Sequence, residues 1–234
     1  MASGFSLHIG LNELKKSSYP GVPPLVACMN DANDMCALAE KIGFDAATLC
    51  DDCATHGKVV NAIADKASRL VAGDIFWITY SGHGSQVPDR NADESDGLDE
   101  TWCLYDCQIL DDTLFDLWSR FKEGVRIVIF SDSCHSGTIA RAINSLNPVV
   151  TPPEMKASGI LISGCQDHQF SMDGAKNGAF TEAFLQVYGQ SGFGGSYKRL
   201  RSAIAAKLPK SQSPNYLYFG KPNVPFTREK ALTI

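Results

Sequence analysis

Two kinds of pattern alternate along the 234 residues: nearly continuous apolar runs and segments with helical periodicity. The apolar runs predict buried strands at residues 5–11, 46–49, 74–80, 125–130, 159–163 and 215–219. The periodic segments predict helices at residues 27–42, 55–71, 111–121, 179–188 and 197–208. Strands that are apolar along their whole length are typical of a parallel sheet covered by helices on both faces. We therefore predict an α/β fold, a three-layer αβα sandwich around a mainly parallel sheet of about six strands.

The length of the chain fits a single domain with one large core, and the sequence contains no internal repeat. Residues 145–156 are rich in Pro, Asn and Thr and predict a loop. We expect one domain over residues 1–234, in which this loop joins a larger region, about 1–144, to a smaller region, about 157–234. Residues 101–110 fit a small hairpin.

Charge and composition exclude several classes of function. The net charge is −5 and no basic tract is present, so a nucleic-acid partner is not supported. Residues 1–10 lack the basic segment and apolar stretch of a signal peptide. No run approaches the ~20 apolar residues that cross a bilayer. We therefore expect a soluble, cytoplasmic protein with no membrane partner.

The chain has eight cysteines, at positions 28, 36, 50, 53, 103, 107, 134 and 165. A chain with a large core in a reducing cytosol does not need a disulfide framework, so we expect free thiols. The spacing of Cys50, Cys53, Cys103 and Cys107 leaves a zinc site open. The alternative is that these four are small core residues.

His83 and Cys134 each follow a predicted buried strand. Parallel strands carry functional groups at their carboxyl ends, so we expect these two side chains at one edge of the sheet. A thiol attacks as a thiolate, and an imidazole takes its proton. Gly82 and Gly84 flank the histidine and allow a sharp turn beside a substrate. Either residue alone would fit ordinary packing, but the pair predicts a catalytic dyad.

Around these two residues the sequence resembles a known family. The segments YSGHG, at residues 80–84, and DSCHSG, at residues 132–137, resemble the two signature motifs of caspase-like cysteine peptidases. The resemblance is strongest to the metacaspases and their bacterial relatives. Further segments that resemble metacaspases lie at residues 28–32, 96–100, 111–112 and 163–167. The resemblance spans roughly residues 4–220 and implies the caspase-hemoglobinase fold.

This resemblance implies a cysteine endopeptidase. His83 would deprotonate Cys134 or act on the leaving amine, and the thiolate would form a thioester acyl-enzyme with the substrate. The backbone amides of Gly84 and Cys134 would hold the oxyanion. The alternative is a non-catalytic caspase-like scaffold or binding protein, and the presence of both dyad residues argues against it.

The resemblance also implies cleavage after Arg or Lys. Asp31 and Asp132 match the pocket carboxylates of the family, and two carboxylates would bind a guanidinium or ammonium group through charge-assisted hydrogen bonds. Ser81 and Cys28 match pocket-lining positions. The alternatives are a solvated helix residue for Asp31 and a capping or turn residue for Asp132. We expect protein or peptide substrates as partners and an uncut monomer as the active form.

Many metacaspases depend on calcium, and this sequence holds three candidate ligands. Asp99, Asp111 and Asp112 match acidic positions of the family's calcium site. The fourth expected carboxylate is replaced by Arg141, and a cation in place of a ligand should weaken calcium binding. We therefore expect that no cofactor is required, and calcium binding stays open.

Overall fold

The computed structural model of the chain describes residues 2–88, 98–133, 154–164, 176–189 and 192–234. In chain order its strands are β1 (Gly4–Gly10), β2 (Asp45–Cys50), β3 (Ile75–Ser81), β4 (Gly84–Pro88), β5 (Leu98–Cys103), β6 (Gln108–Leu110), β7 (Arg126–Asp132), β8 (Ser158–Ser163) and β9 (Asn215–Gly220). Its helices are α1 (Cys28–Lys41), α2 (His56–Arg69), α3 (Asp111–Ser119), α4 (Ala179–Tyr188), α5 (Tyr197–Ala205) and α6 (Val224–Arg228).

Six strands form the main sheet in the order β2-β1-β3-β7-β8-β9. Neighbouring strands are parallel, except that β9 runs antiparallel to β8. The central strands β3 and β7 are buried along nearly their whole length. Burial on both faces explains why their sequences show no alternation of polar and apolar residues. The predicted mainly parallel sheet is confirmed.

Helices cover both faces of this sheet. Ile63 of α2 and Trp118 of α3 lie in one buried cluster, and Phe184 of α4 and Leu200 of α5 lie in a second. Successive residues of β3 alternate between the two clusters because neighbouring side chains of a strand point to opposite faces. The predicted three-layer αβα architecture is therefore confirmed.

A second, three-stranded sheet differs in part from the sequence prediction. Strands β4, β5 and β6 pair antiparallel in that order. The predicted hairpin at residues 101–110 corresponds to β5 and β6, whereas β4 was not predicted. Its residues are half-buried or exposed and include no apolar run, so its strand conformation depends on pairing with β5. Helix α6, with five residues, is too short to show helical periodicity and was also not predicted.

The order and register of the central strands fix one edge of the sheet as a meeting point. Ser81, the last residue of β3, pairs in register with Asp132, the last residue of β7. Gly10, at the end of β1, pairs with Ser81 from the other side. The residues that follow β3 and β7 therefore leave the sheet side by side, as expected of parallel strands.

Six of the eight cysteines lie in the described ranges. The six cysteines in the described ranges are free thiols. Within these ranges no three His, Cys, Asp or Glu side chains form a group that could hold a metal ion, so Cys50, Cys53, Cys103 and Cys107 do not build the zinc site left open above. No helix in the described part of the chain is long and apolar enough to cross a membrane. Residues 145–153 of the predicted loop lie outside the described residues.

Candidate active site

His83 follows β3 and is held at both its side chain and its main chain. Its Nε2 lies 2.9 Å from the carbonyl oxygen of Pro23. A carbonyl only accepts, so Nε2 carries the hydrogen, and Nδ1 of the neutral ring is left as the proton acceptor. The His83 carbonyl accepts from the amide of Cys103 at 3.0 Å and from the Tyr80 hydroxyl at 2.7 Å. The fixed tautomer suits a general base.

The turn that presents His83 requires glycine at the preceding position. A Cβ on Gly82 would lie 2.6 Å from the hydroxyl oxygen of Tyr80, which is closer than real Cβ contacts come. The Tyr80 ring is itself fixed because it stacks on Trp102 with centroids 4.6 Å apart. Gly84, the predicted oxyanion donor, is the first residue of β4 and pairs with Trp102. Its role as a donor stays a prediction.

The second member of the predicted dyad, Cys134, lies outside the described residues. The chain is described up to Ser133, which is buried. Ser131 Oγ accepts from Trp102 Nε1 at 3.0 Å and lies 3.2 Å from Ser133 Oγ. The amide of Gly82 also donates to the Asp132 carbonyl at 3.5 Å. The strand end that leads to the predicted nucleophile therefore contacts the turn that carries His83.

The two predicted pocket acids come together beside this edge. Asp31, in the first turn of α1, and Asp132, at the end of β7, are both buried, with 2% and 7% of their surfaces exposed. A Cβ placed on Gly178 would lie 3.0 Å from Oδ2 of Asp31 and 2.6 Å from Oδ2 of Asp132. Both carboxylates therefore converge on one glycine. Burial excludes the alternative of a solvated helix residue for Asp31. The alternative for Asp132, a capping residue, agrees with its hydrogen bond from the Thr181 amide in the first turn of α4.

Each acid is held by hydrogen-bond donors from other elements. Asp31 accepts from the Ser81 hydroxyl at 2.6 Å, from Asn177 Nδ2 at 3.1 Å and from the Gly178 amide at 2.9 Å. Asp132 Oδ2 accepts from the amide and the hydroxyl of Thr181, both at 3.3 Å. These donors fix the carboxylates near the ends of β3 and β7.

Negative charge on both acids is unfavourable when no cation lies between them. Burial, and then the neighbouring Asp132 carboxylate, raise the pKa of Asp31 to about 7, although its three hydrogen bonds act in the opposite direction. A positive group entering the pocket would remove the repulsion and restore both negative charges. The arrangement is therefore suited to a guanidinium or an ammonium group.

Ser81 contacts the acid pair, whereas Cys28 only adjoins it. The Ser81 hydroxyl is buried and donates to Asp31, and its role in lining a substrate pocket stays a prediction. Cys28 is buried at the start of α1, three positions before Asp31, and its carbonyl leaves no room for a side chain at Gly10. This contact ties α1 to β1 and thereby positions Asp31.

Three residues that donate to the acid pair, Asn177, Gly178 and Thr181, were not predicted from the sequence. Asn177 donates to Asp31 and also to Asp34 at 3.1 Å, and Lys176 forms an ion pair with Asp34 at 3.1 Å. Gly178 and Thr181 follow at the start of α4. The Asn-Gly pair gives only a turn signal in the sequence, and nothing in that signal points to α1.

The calcium candidates form a separate acidic cluster on the smaller sheet and α3. Asp99 and Asp111 are buried, and burial followed by the charges of Glu100, Asp99 and Asp112 raises the pKa of Asp111 to about 8. The Asp112 amide donates to Asp111 at 2.9 Å. In the described ranges these acids do not form a group arranged to hold a metal ion. Arg141, expected to weaken calcium binding, lies outside the described residues.

The sequence and the fold are similar to those of known proteins. A family model described as "Caspase domain" matches residues 14–228. Metacaspase-4 of Arabidopsis thaliana is 36% identical over 143 residues, 55% of this chain and 32% of that protein. Metacaspase-2 of Trypanosoma brucei brucei is 28% identical over 241 residues, 90% of this chain and 65% of that protein. The chain thus spans less than two thirds of the length of these curated relatives.

A solved structure matches over nearly the whole chain. The crystal structure of a protein from Geobacter sulfurreducens superposes with a TM-score of 0.87 at 41% sequence identity, covering 99% of both chains.

Proposed function

We propose that this chain, which belongs to the caspase-domain family of peptidases, is a cysteine endopeptidase. It would cleave after Arg or Lys through His83 and Cys134. The observation that carries the proposal is the buried pair of carboxylates, Asp31 and Asp132, beside the strand end that precedes His83. Its substrates would be proteins or peptides with a basic residue before the cleaved bond.

In the proposed reaction His83 acts through Nδ1, because Nε2 donates its hydrogen to the Pro23 carbonyl. The imidazole takes the proton of Cys134, and the thiolate attacks the peptide carbonyl. The C–N bond breaks as the same imidazole returns the proton to the leaving amine. Water then hydrolyses the thioester and regenerates the thiol. The backbone amides of Gly84 and Cys134 are the proposed donors to the oxyanion.

The pocket sets the proposed specificity by charge. A buried carboxylate pair repels an acidic side chain and gives a neutral one no compensation for lost hydration. A guanidinium or an ammonium group forms charge-assisted hydrogen bonds with both acids. The donors Ser81 and Asn177 keep the two oxygens of Asp31 in fixed directions, so the substrate meets a site that is already ordered. The proposed reaction does not use calcium.

Hydrolysis of four matched fluorogenic peptides tests the proposal. The peptides differ only in the residue before the cleaved bond, which is Arg, Lys, citrulline or Asp. We expect cleavage after Arg and Lys, a loss of about 100-fold in kcat/KM for citrulline, which keeps the shape of Arg without its charge, and no cleavage after Asp.

Controls separate the catalytic claim from the specificity claim. Cys134→Ala should lower every rate by about 10³-fold or more, and each assay is run with calcium and with EDTA. Cleavage after Asp, or equal cleavage of the Arg and citrulline peptides, contradicts the pocket assignment. If the wild-type protein hydrolyses none of the four peptides, the non-catalytic scaffold becomes the better interpretation.

A further inference from the structure

A cavity lies away from the acid pair, beside the opposite end of the parallel strands. This cavity, of about 420 Å³, is lined by the segment that leads into α5 and by the end of α6 with the residues after it. Arg126, the first residue of β7, bonds to Glu229 at 2.7 Å and to the Thr233 carbonyl at 2.9 Å. The segment after α6 therefore lies at the amino end of β7, about 20 Å from Asp132 at its carboxyl end.

Positive charge dominates the lining of this cavity. Lys198 and Arg199 contribute from α5, and Arg228 and Lys230 contribute from the other wall. None of the described acidic residues lines the cavity. Glu229, which lies between two of these cations in sequence, is bonded to Arg126 instead. The whole chain has a net charge of −5, so the four cations give this cavity a charge opposite in sign to that of the protein.

These cations are not neutralised within the described part of the protein. The ion pairs there involve none of the four, and Lys198 Nζ lies 5.6 Å from the ring centre of Tyr216. The side chains of all four are exposed. A surface that gathers four like charges without partners favours a multiply charged anion.

The backbone of the same cavity adds neutral donors. The two walls are joined because the Ala231 amide donates to the Gly195 carbonyl at 3.0 Å. The side chain of Ser196, which precedes α5, forms no cap hydrogen bond with the first turn of the helix. The first amides of a helix have no partner inside it, so they are free to donate to a group bound beside Lys198 and Arg199.

We propose that this cavity binds a small anion that carries several phosphate groups, a function beyond the proposed peptidase activity. Each guanidinium group can bind two phosphate oxygens. A single carboxylate has only two oxygens, too few to bind two guanidinium groups in this way. The volume of about 420 Å³ lies within the ~300–1,000 Å³ of small-molecule sites.

Isothermal titration of the full chain with inorganic tripolyphosphate tests this proposal. The Cys134→Ala protein is used at low ionic strength without divalent cations, so the result does not depend on peptidase activity. We expect one saturable site with a Kd on the order of 10 µM. Citrate, which carries three carboxylates, should bind about tenfold more weakly.

Two pairs of variants locate the site. Arg199→Gln with Arg228→Gln should raise the Kd about tenfold or more, whereas Lys207→Gln with Lys210→Gln, which removes the same charge from exposed positions elsewhere, should change it less than about twofold. Gly194→Glu adds a carboxylate to the lining at a position with open space and should abolish binding.

Gly57→Glu adds the same charge at an equally open position in α2 and should leave binding intact. Several results would overturn the assignment: no saturable binding by the parent protein, equal losses in the cavity variants and their controls, or equal affinity for citrate and tripolyphosphate. Far-ultraviolet circular dichroism of each variant confirms that the compared proteins are folded.

Discussion

Two hydroxyl groups on the same face of β3, those of Thr79 and Ser81, each bond to an ionisable side chain that is buried against the sheet. Thr79 Oγ1 lies 2.9 Å from Nδ1 of His8, and Ser81 Oγ donates to Oδ2 of Asp31 at 2.6 Å. Burial disfavours the charged form of both groups, so it lowers the pKa of His8 to about 3 and contributes most to raising that of Asp31 to about 7.

The remaining partners make the two positions different. His8 Nε2 lies 3.0 Å from Ser6 Oγ, and the ring packs edge-on against Trp77 with centroids 5.0 Å apart, so a neutral imidazole is satisfied inside the core. Asp31 lies at the end of the strands and faces Asp132, which carries the same charge. The two buried groups therefore differ in their neighbours: the close neighbour of Asp31 carries the same charge, whereas those of His8 are neutral.

Among the predicted changes, Asp31→Asn should cause the largest loss of activity on the Arg peptide. Loss of the charge that meets the substrate cation should lower kcat/KM for the Arg peptide by about 100-fold or more. The citrulline peptide should change much less. Asp45→Asn, at an exposed position on β2, is the matched control and should stay within about twofold. Equal losses for the charged and neutral peptides would show that Asp31 does not contact the substrate cation.

Gly178→Ala should have the next largest effect. Its Cβ would lie 2.6 Å from Asp132 Oδ2, so the acid pair must move, and KM for the Arg peptide should rise by about 10- to 30-fold. Gly57→Ala, where a Cβ meets nothing within 4 Å, should leave KM unchanged and stabilise α2 by up to about 1 kcal/mol. Steady-state kinetics and urea unfolding measure the two effects; an unchanged KM in Gly178→Ala would contradict the geometry.

The acid pair should also make substrate binding depend on pH. With the pKa of Asp31 raised to about 7, a fall in pH through this value protonates the pocket and weakens its attraction for a cation. The Kd of the Arg peptide for the Cys134→Ala protein should therefore rise by up to about tenfold from pH 8 to pH 6. Fluorescence anisotropy measures it without interference from the dyad. Asp31→Asn should bind weakly with little pH dependence, and the same slope in both proteins would refute the assignment.

The two hydroxyls of β3 provide the most direct test of the comparison. Ser81→Ala removes a donor to Asp31 and should raise KM for the Arg peptide about fivefold. Thr79→Ala removes a partner of His8 and should lower the free energy of unfolding by about 1 kcal/mol without changing KM. If both variants change KM equally, the division between a binding position and a packing position fails.

Near neutral pH, His8 should cause the smallest effect, a loss of stability that grows as the pH falls. Its folded pKa, about 3, lies below the unfolded value, so its contribution is complete above pH 6.5 and is lost as the pH falls from 6.5 towards 3. Between pH 7 and pH 6 this amounts to roughly 0.7 kcal/mol. Urea unfolding of the Cys134→Ala protein with and without His8→Asn isolates the contribution of His8 to this pH dependence, since the asparagine is not protonated in this range. A pH slope that is unchanged by the substitution would contradict burial of a neutral ring.

Much of the fold was predictable because its central strands are buried on both faces. β3 and β7 are apolar along their length, and a run of this kind has few alternatives to a parallel sheet covered by helices. β4 could not be found in this way, since its half-exposed residues carry no pattern and it is a strand only because β5 pairs with it.

The sequence alone determined the family motifs, the histidine at the end of β3 and the two acids of the proposed pocket, because side-chain type and spacing carry that information. Only the tertiary structure decided how these groups are held. The Gly178 amide reaches Asp31 across 147 positions of sequence, and the Pro23 carbonyl fixes the hydrogen on His83. Backbone amides and carbonyls are the same in every residue except proline, which has no amide hydrogen, so only the folded chain shows which of them face a functional side chain.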